Sequence, residues 1–160
     1  MNTTETPSIS KSPSSMKIPP PLLAAGLLVG TLVLHFVLPE SRTVAWYQVI
    51  GLLLVAAGVG ICVFAAGIFD GRGTTKIPTG EPAVFVVQRP YTFTRNPMYL
   101  GVTIILAGFA VFFGSIVMLV APVAFFVVID GKVIPREEQT MERLFGQQYL
   151  DYQSRVRRWL

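Results

Sequence analysis

At 160 residues, with 52% of them hydrophobic, only 14% charged and a net charge of +4, the chain has room for one domain and departs from the soluble norm of roughly a quarter charged residues. None of its 13 Lys and Arg or 9 Asp and Glu falls within residues 43–69 or 97–129, which excludes an ordinary water-soluble enzyme. The basic residues border apolar segments, so their partner is the anionic surface of a lipid bilayer and not nucleic acid.

The first 18 residues, rich in Ser, Thr and Pro, cannot bury enough apolar surface to offset the entropy of ordering and read as a disordered tail before a single membrane domain over 19–160. Pro19-Pro20-Pro21 leads into a first span at 22–38, near the lower length limit for a hydrocarbon core of about 30 Å. Its His35, the only histidine, is expected to reach interfacial water, and Gly26-x-x-x-Gly30 permits close helix packing. A turn at Pro39-Glu40-Ser41-Arg42 precedes a second span over about 44–69, with Trp46 and Tyr47 as belt aromatics. The segment from Asp70 to Gln88 is irregular, with a short extended piece at Val84-Phe85-Val86-Val87.

From Met98 to Ile129 the chain is apolar for 32 residues, too long for one span, and Gly114-Ser115 breaks it into a tight helical hairpin. The second arm extends to Ile134 if Asp130 and Lys132 snorkel, with a kink at Pro122. Two amphipathic helices close the chain. The first carries Met141, Leu144 and Phe145 on one stripe, with Glu137 and Glu138 projecting toward it; in the second Tyr149, Tyr152, Val156 and Trp159 form a stripe flanked by Arg155, Arg157 and Arg158, the pattern of a helix lying in the interface. The fold class is therefore an all-α integral membrane protein with about four spans. Twelve of the thirteen basic residues, all but Arg42, then lie on one side, which places both termini in the cytosol.

Two groups of residues are suited to chemistry. Asn96 is a favoured helix cap and Pro97 a favoured first helical residue, so the pair can start the third span; Tyr99 suits the aromatic belt and Gly101 helix packing. That leaves Arg95 unexplained, and an arginine, an amide, a phenol and a helix N-terminus together suit a small anionic group. Glu137 and Glu138 on an apolar stripe need a cationic partner or hydrogen-bond donors, which Arg95, Arg89 or a ligand rich in hydroxyl and ammonium groups can supply. One Cys and one His far apart give no metal site, and without a Gly-x-Gly-x-x-Gly turn a Rossmann-type nucleotide enzyme is excluded.

In combination, Arg95-Asn96-Pro97-Met98-Tyr99-Leu100-Gly101, Glu137-Glu138, Phe145-Gly146-x-x-Tyr149-x-x-Tyr152 and Arg158-Trp159 resemble the isoprenylcysteine carboxyl methyltransferase family and the related phospholipid methyltransferases. The resemblance covers roughly residues 71–160 and implies an S-adenosylmethionine-dependent membrane methyltransferase acting on a lipophilic or prenylated acceptor. It further implies that Arg95, Asn96, Pro97, Tyr99, Leu100, Gly101, Glu137, Glu138, Tyr149 and Tyr152 line the cofactor pocket. Arg89-Pro90-Tyr91-Thr92 stands where family members often carry Gly-Pro-Tyr-Arg, which bears on substrate choice. A carboxylate acceptor needs neutralisation, by Arg89, Arg95 or Arg155; an amine acceptor needs a base, Glu137 or Glu138. The resemblance is nearest to isoprenylcysteine carboxyl O-methylation; phospholipid amine N-methylation, a non-catalytic membrane scaffold and a lipid reductase of similar C-terminal architecture are the alternatives.

Overall fold

A computed structural model describes residues 18–38, 46–70 and 89–160. The expected tail, the turn after Pro39 and the loop with its extended piece at 84–87 lie outside the described residues. Those described are helical, with no strand among them. Helix α1 spans Pro20–Val37, α2 Tyr47–Asp70 and α3 Pro97–Phe113. A 3-10 turn at Val117–Leu119 opens the second arm of the hairpin, followed by α4 (Val120–Val128), a π-helical turn (Ile129–Val133), α5 (Ile134–Phe145) and α6 (Gln147–Arg155).

Three stretches are long and apolar enough to cross a membrane, Pro20–Val37, Tyr47–Gly67 and Val117–Phe145; α3 is a shorter apolar helix of 17 residues. The chain is an all-α integral membrane protein. The 29 residues of Val117–Phe145 would extend about 44 Å at 1.5 Å per residue, so the polar end of that stretch must project beyond a hydrocarbon core of about 30 Å.

Glycine fixes how α2 meets α3. A Cβ at Gly51 would lie 2.4 Å from the Phe112 backbone nitrogen, one at Gly58 2.6 Å from the Gly101 carbonyl oxygen, and one at Gly108 2.8 Å from Val55. The two antiparallel helices touch backbone to backbone along this seam, as small residues allow in lipid. Gly26 and Gly30 play no such part, since a Cβ at either would meet nothing within 4 Å. The hairpin turns where expected: Gly114 caps α3 in the left-handed conformation at φ 60°, which only glycine adopts without strain.

The core gathers Leu106, Ala121, Phe125, Ile129 and Ile134, with Leu23 and Leu27 from the start of α1 and Tyr99 and Val102 from the start of α3 packed against it. The starts of α1 and α3 and the end of α4 therefore share one end of the bundle. At the other end His35 is 3% exposed, with its ring 5.2 Å from Phe36 and 5.4 Å from Phe113. It is thus held in an aromatic pocket and does not reach interfacial water.

Pro122 falls in the first turn of α4, where its missing N–H costs little, so it follows the 3-10 turn without kinking a long helix. The departure from α-helix comes instead at Ile129–Val133, just before Pro135, whose ring and absent N–H disrupt the preceding turn.

Candidate functional site

The site forms where the start of α3, the π-turn, α5 and the C-terminal residues converge. Pro90 begins a tight turn, its carbonyl accepting the Phe93 amide at 3.0 Å, and the Arg89 guanidinium lies 5.5 Å above the Phe93 ring. Thr94 is buried; its hydroxyl accepts the Asn96 amide at 3.2 Å and donates to the Arg158 carbonyl at 3.0 Å. Pro97 then opens α3 with the fixed φ of a first helical residue. Asn96 stands at the cap position, but its side chain makes no capping bond and instead donates through Nδ2 to the Arg158 carbonyl at 3.0 Å. With the Arg95 amide donating to the Arg157 carbonyl at 2.9 Å, the last residues of the chain are sewn onto the entry to α3.

That sewing explains why the second amphipathic helix is shorter than its stripe. α6 ends at Arg155 and Val156 is extended at φ −118°, ψ 129°, so the carbonyls of Arg157 and Arg158 turn toward 94–96. Trp159 leaves the tyrosine stripe, stacks 4.7 Å from Phe126 and donates Nε1 to Asp130 at 2.9 Å. Tyr149, Tyr152 and Val156 pack against Met141 and Phe145 of α5, so the stripe of α6 is consumed inside the protein and not by lipid.

The two glutamates do not share a direction. Glu137 accepts the Tyr99 phenol at 2.6 Å. Glu138 meets Arg95 Nη1 at 2.9 Å and Arg158 Nη2 at 2.6 Å, and Arg158 Nη1 reaches Asp130 at 3.2 Å. Arg95 and Glu138 are only 11% and 12% exposed, so breaking this pair would strand a charge in a low-dielectric setting. Although Arg95 Nη1 lies within ion-pair distance, neither it nor Nε makes an aligned hydrogen bond, and both are buried. Burial pushes the Tyr91 and Tyr149 phenols up and raises Tyr152 to about 12, so these groups stay neutral at physiological pH; Tyr152 donates to the Tyr91 carbonyl at 2.6 Å.

Arg95, Asn96, Tyr99, Glu137, Glu138, Tyr149 and Tyr152 thus come together. Gly101 faces α2, where a Cβ would lie 2.6 Å from Cys62 Sγ, and Pro97 is fully buried as the helix start. Leu100, beside Gly101 in the first turns of α3, is half-buried. Arg155 is exposed, and its Nε donates back to the Asp151 carbonyl of its own helix, 3.0 Å away. Asp130 and Arg158 also belong to this cluster: Arg158 stands in the motif without a role, and Asp130 is expected from the sequence only to snorkel. Their signal was available: Asp130 is the first charge after more than thirty uncharged residues, and a charge so placed requires a partner. A shallow apolar recess of about 240 Å³ at Tyr47, Gly114, Ser115 and Leu119 lies at the other end of the bundle, away from these groups.

The chain is thus a helical membrane protein with a cluster of paired charged side chains where the start of α3 meets α5, tied down by its C-terminal residues. The sequence profile of the phospholipid methyltransferase family matches residues 46–148, and the chain belongs to that family. A 63-residue stretch, 39% of this chain, is 36% identical to the whole of an uncharacterized protein of Haemophilus influenzae. No solved structure matches the chain.

Proposed function

We propose that the protein transfers a methyl group from S-adenosylmethionine to a lipophilic acceptor reached from the bilayer, at the site formed by Arg95, Asn96, Tyr99, Glu137 and Glu138 with Tyr149 and Tyr152 behind them. The observation that carries this reading is the charge balance. Among the described residues Arg95 and Arg158 pair with Asp130 and Glu138, which leaves Glu137, against the Tyr99 phenol, as the carboxylate of the cluster with no guanidinium on it. A surplus carboxylate beside tyrosine rings suits a cationic ligand, and S-adenosylmethionine carries both a sulfonium and an ammonium group. The buried Nε of Arg95, without a hydrogen-bond partner, suits the cofactor's carboxylate once side chains adjust around it.

When bound, the cofactor would supply an electrophilic methyl on sulfur for in-line displacement. The chain's contribution is alignment and exclusion of water, with the closing C-terminal residues tied over the entry to α3. The same balance favours an amine headgroup over an isoprenylcysteine carboxylate as acceptor. An anionic acceptor would need a further cation, because both guanidiniums in the cluster already pair with carboxylates, while Arg89 lies over Phe93 and Arg155 turns back to the Asp151 carbonyl of its own helix. Glu137 can take the proton that an ammonium must lose before its nitrogen attacks. We place both termini and this site on the cytosolic side, on the distribution of basic residues.

Calorimetric titration of detergent-purified protein with S-adenosylmethionine tests the reading. Saturable binding is expected, and a protein that is folded yet binds none would overturn it.

A further inference from the structure

Adjacent in sequence, Glu137 and Glu138 have different neighbours. Both oxygens of Glu138 are engaged: Oε1 by Arg95 Nη1 at 2.9 Å and Arg158 Nε at 3.2 Å, Oε2 by Arg158 Nη2 at 2.6 Å. Arg158 has a third nitrogen, Nη1, on Asp130, and its own carbonyl accepts Thr94 and Asn96. One residue therefore touches α5, the π-turn and the entry to α3. Glu137 by contrast meets the Tyr99 hydroxyl and stands exposed.

The π-turn makes this junction possible. Asp130 and Glu138 are eight positions apart and would diverge by about 80° on a regular helix of 3.6 residues per turn. The wider turn at Ile129–Val133 removes most of that divergence, so one planar guanidinium spans both carboxylates. A carboxylate flanked by two internal guanidiniums already has its charge answered, so it offers a cationic ligand far less than one without such a partner.

We propose that the paired glutamates divide the work: Glu137 alone meets the bound methyl donor, while Glu138 is a positioning residue that, with Arg158 and Asp130, holds Arg95 and the start of α3 in place. This rests on the methyltransferase reading. It assigns Arg158 a positioning role that lysine fills poorly, since a single ammonium nitrogen cannot reproduce Nε and Nη2 on Glu138 together with Nη1 on Asp130.

The test uses full-length, detergent-purified protein and the variants Glu137→Gln, Glu138→Gln, Arg158→Lys and Asp130→Asn. Affinities for S-adenosylmethionine and S-adenosylhomocysteine are measured by calorimetry, and melting temperature on the same samples. Glu137→Gln should melt like wild type yet bind S-adenosylmethionine about tenfold or more weakly, with a smaller loss for the uncharged-sulfur product, because the charge it answers is the sulfonium. Glu138→Gln and Arg158→Lys should melt earlier and lose affinity for both molecules by the same factor, because they act through Arg95. If Glu138→Gln yields no folded protein, Asp130→Asn, which loosens Arg158 without altering Glu138, should show the same equal loss. A Glu138→Gln protein that melts like wild type but selectively loses S-adenosylmethionine would overturn the division, as would an Arg158→Lys protein unchanged in melting and binding. Wild-type protein that binds neither molecule would refute the methyltransferase reading itself, and the positioning role would then stand or fall on whether Glu138→Gln and Arg158→Lys melt early while Glu137→Gln does not.

Discussion

The α2–α3 seam gives a prediction whose size follows from the structure. Gly51 and Gly60 both lie inside α2, so replacing either with alanine gains the same helix propensity, about 1 kcal/mol. At Gly60 the new methyl meets nothing within 4 Å, whereas at Gly51 it lies 2.4 Å from the Phe112 nitrogen. Ordinary contact is about 3.5–4.0 Å, so the helices must part by roughly 1 Å or more at that point. Overpacking of this kind costs about 1–3 kcal/mol, which is the expected difference between the two variants because the propensity gain cancels. For a chain of this length that is several degrees of melting temperature, at about 2–4 °C per kcal/mol. Cys62 reports it directly, since its thiol sits on the seam, donating to the Met98 carbonyl at 3.5 Å. Thermal exposure of Cys62 to a fluorogenic maleimide should come earlier for Gly51→Ala than for wild type, and at or above the wild-type temperature for Gly60→Ala. Equal melting of the two variants would refute backbone contact between α2 and α3.

Asn96→Asp should destabilise by about 1 kcal/mol, because the lost Nδ2 donor and the new carboxylate facing the Arg158 carbonyl outweigh a dipole gain of about 0.3–1 kcal/mol; a melting scan checks it. Tyr152→Phe should cost about 1 kcal/mol at neutral pH through the lost bond to the Tyr91 carbonyl. Because burial raises the Tyr152 phenol to about 12 from 10.0, its contribution is full below pH 10 and lost between there and 12, so the variant should show a shallower alkaline decline in stability. For topology, a Ser12→Cys variant in a Cys62→Ala background should resist an impermeant thiol reagent in intact cells; ready labelling would put the N-terminus outside.

The elements that physics fixes locally were legible. Asn96-Pro97 announces α3, Gly114 ends it, and the charge-free runs mark the spans, since each depends on a backbone rule or on transfer from water to lipid. What escaped was set by distant partners. Nothing near Asn96 says that its amide will serve the Arg158 carbonyl and not the helix start; capping preference alone makes Asp a good substitute there, and the structure reverses that sign. Nor does the 3.6-residue stripe through Tyr149, Tyr152, Val156 and Trp159 reveal that hydrogen bonds to 94–96 pull the chain into an extended form after Arg155. The π-turn was equally hidden, although Pro135 just beyond it supplied a physical cue. Charge patterning located the glutamate pair, and the step of about 100° between adjacent helical residues sends its members apart, but which group each one meets is set by Tyr99, Arg95 and Arg158, all distant in sequence.

Methyl transfer from S-adenosylmethionine to a membrane lipid is tested most directly by offering purified protein the methyl-labelled cofactor together with phosphatidylethanolamine or a prenylated cysteine in mixed micelles, and following the label into organic extract. Label should appear in the amine lipid, depend on protein, and fall sharply in Glu137→Gln. Label in the prenylated acid alone would contradict the acceptor assignment, and no label in either, from protein that is folded and cofactor-bound, would contradict lipid methylation by this chain.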